Sequence, residues 1–91
     1  MEVRADRVVW LTRREAEVAR LIGRGYSNRE MAKLLFLSRK TIEQHKNKLY
    51  HKIGLHGLRD GHEGRATRWA MLQGLDKVTD EQILKGWEIK P

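Results

Sequence analysis

Three side chains between residues 43 and 47 could exchange hydrogen bonds with the edge of a nucleic-acid base. Gln44 and Asn47 carry amides, which pair well with adenine, and Glu43 can accept from the amino group of cytosine. Around them stand Lys40, Lys46, Lys48 and Lys52, with Arg39 just before, all able to neutralise phosphates. Such contacts position a protein on a polyanion without reading its sequence. Between Ser38 and Gly54 there are five Lys or Arg and one Glu, so +4 of the formal charge of +7 falls in this stretch. Taken alone, the pattern fits a solvated, charged helix surface equally well. What decides is the set of elements that would hold it.

Those elements are helices with legible starts. Thr12-x-x-Glu15 has the form of a capping box, in which the hydroxyl takes an orphan N–H and the carboxylate returns the bond. Leu11, Val18, Leu21 and Ile22 then fall near one face, and Gly23 and Gly25 end the helix. Ser27-x-x-Glu30 repeats the box and opens a brief helix with Met31, Ala32 and Leu35 inward and Leu34 outward. Phe36 and Leu37 pass through the turn, where one apolar residue must plug the gap. Ser38 caps a third helix over 39–53, with Gly54 as its stop. Ile42, Leu49 and Ile53 mark its buried stripe, and His45 or Lys46 fills the turn between. Lys40, Glu43, Gln44, Asn47, Lys48 and His51 form its outward set. A short capped helix, a tight turn and a basic helix together favour DNA over the solvated-surface reading.

Beyond Gly54 the pattern weakens. Leu55 to Gly64 reads as an irregular, glycine-rich loop. From Arg65 to Gln73 the chain is helical, with Ala66, Trp69 and Ala70 on one side and Met71 and Leu72 on another. Two apolar sides call for two partners, the core and a second chain. Thr79-x-x-Gln82 is a weaker capping box before Ile83, Leu84 and Trp87, which suggests a last short helix ending near Gly86. Trp87 and Ile89 should fold back rather than stay exposed. At the other end, Val8 to Leu11 reads as a packed arm, with a partner surface as the alternative. No strand is expected.

The bulk composition narrows the function classes. Ninety-one residues make one domain with a modest core, and a pI near 10.1 favours a polyanionic partner. Without cysteine there is neither a disulfide framework nor a thiolate metal site. No apolar run approaches the roughly 20 residues of a membrane span, and the apolar patch at Val8–Leu11 is too short for a signal peptide. A cytoplasmic, soluble protein with no membrane association is expected. Catalysis is disfavoured, because Ser27 and Ser38 are explained as caps and no acidic pair suggests general acid–base work. His45, His51, His56 and His62 are spaced six, five and six apart, whereas a helical metal pair wants about three or four. Gly57, Gly61 and Gly64 have neither the preceding strand nor the following Gly-Lys-Ser/Thr of a phosphate loop. No cofactor is expected.

Residues 11–55 closely resemble the LuxR/GerE-type helix-turn-helix domain of bacterial transcription regulators. The likeness is carried by Leu11-Thr12, Glu15, Glu17-Val18, Gly25, Ser27-Asn28 and Glu30-Met31-Ala32. It continues through Leu37-Ser38, Thr41-Ile42, His45 and Lys52-Ile53-Gly54, without a gap across three helices. The residues read as all-α with four or five helices, and the resemblance implies a four-helix fold, so the expectation is a helix-turn-helix bundle of four helices plus a short C-terminal helix or tail. The chain is expected to divide into an arm (1–10), a DNA-binding domain (11–75) and an extension (76–91). The resemblance further implies a sequence-specific regulator of transcription that binds double-stranded DNA as a homodimer with the third helix in the major groove. By position, the base-reading residues fall on Glu43, Gln44 and Asn47. The backbone set is Ser27, Arg39, Lys40, Thr41, His45, Lys46, Lys48 and Lys52, and Trp69, Met71, Leu72 and Trp87 supply the dimer or partner surface. Three departures stand out: Glu43 where the family commonly has Lys, Arg13 where it often has Pro, and about five extra residues before the fourth helix. The absence of a sensory domain suggests a stand-alone regulator, as from a phage or mobile element. The alternative is a module of the same fold that binds RNA polymerase, a sigma factor or another regulator.

Overall fold

The computed structural model describes residues 9–54 and 62–89. A two-residue strand β1 (Trp10–Leu11) leads into helices α1 (Arg13–Gly23), α2 (Asn28–Leu35) and α3 (Arg39–Ile53). Helix α4 (His62–Gln73) follows, then two single 3-10 turns (Leu75–Lys77 and Glu81–Ile83) and a second strand, β2 (Trp87–Glu88). The expected loop beginning at Leu55 lies outside the described residues as far as 61. From His62 the chain is already helical, three residues ahead of the expected start at Arg65.

The caps define the helix ends as anticipated. Thr12 Oγ1 accepts from the Glu15 N–H while Glu15 Oε1 accepts from the Thr12 N–H, and Ser27 and Glu30 exchange the same pair of bonds. Ser38 Oγ accepts from the Thr41 N–H at 3.1 Å. Gly54 ends α3 with φ at +83°, a conformation that costs glycine little.

Helix α1 is the hub. Ala16, Val18, Ala19, Leu21 and Ile22 are all buried on it, and α3, α4 and the turn at Leu75–Lys77 pack against it. Gly23 permits the close approach of α4, since a Cβ there would meet Ala70 Cβ at 3.0 Å and Asp76 Cβ at 3.1 Å. Helix α2 packs on α3, and its Met31 and Ala32 are buried in the core. In the turn between them the plug is Leu37, which packs on the core. Phe36 adopts the left-handed conformation and is 93% exposed.

The C-terminal segment departs from expectation. Ile83, Leu84 and Trp87 do not lie on a helix: after a single 3-10 turn the chain passes through Gly86 and becomes a strand. This strand pairs antiparallel with β1, Trp10 opposite Glu88 and Leu11 opposite Trp87. The Ile89 N–H donates to the Val9 carbonyl at 2.9 Å and extends the ladder. The expectation of no strand is therefore corrected. The helical reading fails because the partner of Trp87 lies far away in sequence, at Leu11, and the local apolar spacing carries no trace of it. Thr79 and Gln82 do exchange capping-box bonds, but around one turn only.

Gly86 enables that pairing. Its φ is +97°, and a Cβ would stand 2.5 Å from the Leu11 carbonyl oxygen. Arg20 of α1 and Arg24, just past its end, hold the C-terminal segment. Arg24 Nε donates to the Asp76 carbonyl at 2.7 Å, and Arg20 bonds both the Val78 carbonyl and the Asp80 carboxylate. Trp87 and Ile89 fold back onto the core, as their composition suggested.

Candidate nucleic-acid interface

The interface is built on α3, whose inner side seats Ile42, Leu49 and Tyr50 in the core. With about 100° between successive helical residues, that seat turns the opposite side outward. Glu43, Gln44 and Asn47 are all exposed, as are Arg39, Lys40 and Lys48. Gln44, His45, Asn47 and Lys48 line one shallow, open depression of about 480 Å³. Two amides thus sit beside a cation on a helix fixed from behind, an arrangement that can read a base edge and hold a phosphate together.

The residues expected on the backbone divide into two groups. Ser27, Arg39, Lys40 and Lys48 are exposed. Ser27 Oγ is occupied as an acceptor by the Glu30 N–H, and its own O–H remains a donor. Glu30 is held below its ordinary carboxylate pKa by the bonds from Ser27, first of all the backbone one, and stays anionic in its box. Thr41 is half-buried, and its Oγ1 accepts from Ser38 Oγ at 2.9 Å. His45 is also half-buried. Burial, and then the positive charges of Arg14 and Lys48, push its pKa below the ordinary imidazole value, so it tends to be neutral at pH 7.

Lys46 and Lys52 form the second group, since both ammonium groups have partners within the fold. Lys46 is buried, and its Nζ donates to Asn28 Oδ1 at 2.8 Å. Lys52 Nζ donates to Glu15 Oε1 at 2.7 Å and to the Trp10 carbonyl at 2.9 Å. From sequence Asn28 and Glu15 entered only through the family likeness and a capping box, with no contact to α3 expected, and Arg14 was not singled out. Asn28 directly follows a helix cap, and Glu15 is the second half of a capping box, so each had a sufficient local explanation that hid its contact with α3.

The expected partner surface divides as well. Met71 and Leu72 are 55% and 78% exposed on α4. Trp69 packs on the core, and so does Trp87, whose Nε1 donates to Gln73 Oε1 at 3.4 Å. Among the described residues no group of three or more His, Cys, Asp or Glu is placed to hold a metal ion. No helix among them is long and apolar enough to cross a membrane.

Capped α2, a three-residue turn and an outward-facing basic α3 over a small core define a helix-turn-helix protein. Residues 9–61 match the family model of bacterial regulatory proteins, luxR family, and the chain belongs to that family. The oxygen regulatory protein NreC of Staphylococcus aureus strain JH9 is 49% identical over 45 residues, which is 50% of this chain and 21% of that protein. The NreC proteins of strains JH1 and Mu3 / ATCC 700698 give the same values. The chain thus spans about a fifth of the length of these curated relatives. No solved structure matches it.

Proposed function

We propose that this chain is a sequence-specific DNA-binding regulator of transcription, with α3 laid in the major groove of double-stranded DNA. The observation that carries the reading is the shared depression of Gln44, His45, Asn47 and Lys48 on a helix whose other side is buried. Membership in the luxR family of bacterial regulatory proteins supports it. Glu43, Gln44 and Asn47 read bases. Ser27, Arg39, Lys40 and Lys48 hold phosphates, with Thr41 and His45 supporting them. Met71 and Leu72 offer an apolar surface through which two copies pair, so the DNA site consists of two half-sites.

Fluorescence-anisotropy titration against a selected site and a scrambled one tests these roles. Asn47→Ala should relax preference at one base position, costing about 1–3 kcal/mol on the selected site and little on the scrambled one. Lys48→Ala should weaken both alike and lower the salt slope by about one. Equal effects of the two substitutions on both duplexes would remove Asn47 as a reader.

Leu34 (50% exposed) and Phe36 (93% exposed) favour a second reading, a module that binds RNA polymerase, a sigma factor or another regulator. A stoichiometric protein complex that Phe36→Ala abolishes, with no DNA shift by the unaltered chain, would establish it.

A further inference from the structure

Lys46 occupies the middle of the inner side of α3, where an apolar residue would be ordinary. Ile42, Leu49 and Tyr50 are buried around it, and Lys46 itself is only 7% exposed. Gln44 and Lys48 lie on the roughly opposite side of the helix. The ammonium donates to Asn28 Oδ1 at 2.8 Å and stands 5.8 Å from the centroid of the Tyr50 ring. Asn28 is the first residue of α2, directly after its cap Ser27.

Burying a lysine is costly, and an apolar residue of similar volume packs such a position as well or better. What the charged group adds is direction. A methyl-terminated side chain tolerates many rolls of α3 against α2, whereas an ammonium bonded to the Asn28 carbonyl oxygen favours the roll that keeps that bond. A buried polar contact that fixes register has this role in other helical assemblies.

We infer that Lys46 is a positioning residue for base readout rather than a phosphate contact. Tied to Asn28, it sets the roll of α3 and with it the direction in which Gln44 and Asn47 face the groove. This inference rests on the DNA-binding reading above.

The test uses the full chain and the variants Lys46→Met, Asn28→Ala, Asn28→Asp and the Lys46→Met/Asn28→Ala double variant. Affinity is measured for the selected duplex and a scrambled one at several salt concentrations. Asn28→Ala changes no charge, yet it should lower the selected-to-scrambled affinity ratio about tenfold, the size of a lost base contact. Lys46→Met should do the same, and the double variant should be no worse than either. Asn28→Asp keeps an oxygen acceptor and should retain the ratio while binding both duplexes more weakly. Urea unfolding of each variant establishes that it is folded. If Lys46→Met does not fold, the contrast between Asn28→Ala and Asn28→Asp carries the test. The inference is overturned if Asn28→Ala leaves the ratio unchanged, or if Lys46→Met weakens both duplexes equally and lowers the salt slope by about one, the mark of a phosphate contact. Failure of the unaltered chain to prefer any sequence would overturn the DNA-binding reading itself, an outcome distinct from either variant result.

Discussion

Lys52, near the end of α3, reaches back to Glu15 in the first turn of α1, with Nζ 2.7 Å from Oε1. The same carboxylate oxygen closes the capping box by accepting from the Thr12 N–H. The same ammonium holds the Trp10 carbonyl of β1. One ion pair therefore fixes the start of α1, the C-terminal end of α3 and the short sheet.

Loss of either partner should destabilise the fold. Glu15 is buried while the Lys52 side chain is 33% exposed, so solvent screens part of the interaction. Lys52→Met and Glu15→Gln should each cost about 1–3 kcal/mol in urea unfolding, and their effects should be non-additive. Burial raises the Glu15 pKa, but the bonds from Lys52 and Thr12 outweigh it and the net shift is downward. A depressed carboxylate stabilises the fold above the unfolded value and loses that contribution as pH falls through the folded one. Stability should therefore decline below about pH 4, and less steeply in Glu15→Gln.

His45 should give a second pH effect, at higher pH. Its pKa is depressed in the fold by burial and by Arg14 and Lys48, against a smaller opposing pull from Glu15. The unfolded chain then binds the proton more readily, so stability should fall as pH drops through about 6.5. His45→Gln should flatten this step in thermal melts from pH 7.5 to 5.5. A phosphate placed at His45 would raise its pKa again, so DNA affinity should increase with acidity over the same range in the unaltered chain only.

Gly86 should tolerate no side chain. Its positive φ and the approach of the Leu11 carbonyl both oppose a Cβ. Gly86→Ala should cost about 2 kcal/mol or more, measured by urea denaturation. The loss should extend to hydrogen-exchange protection of Ile89, whose N–H bonds Val9.

The sequence made the helices and their caps legible because both depend on neighbours three or four residues apart. Thr12 with Glu15 and Ser27 with Glu30 bond as their spacing indicated, and Ser38 caps α3 as expected. The outward placement of Glu43, Gln44 and Asn47 followed from the apolar stripe at Ile42 and Leu49. What escaped were contacts across the fold. Lys46 and Lys52 are indistinguishable from Lys48 in a charge count, and only the packing of α3 against α2 and α1 gives them Asn28 and Glu15. The strand at Trp87 escaped for the same reason, since its pairing with Leu11 joins the two ends of the described chain.

Selection of bound duplexes from a random DNA pool by the full chain, at moderate salt, is the most direct measurement. Enrichment of one motif, arranged as two half-sites about one helical turn apart, is the predicted result and would report both readout by α3 and pairing of two copies. A pool that remains unenriched, although the chain is folded, would contradict sequence-specific DNA binding.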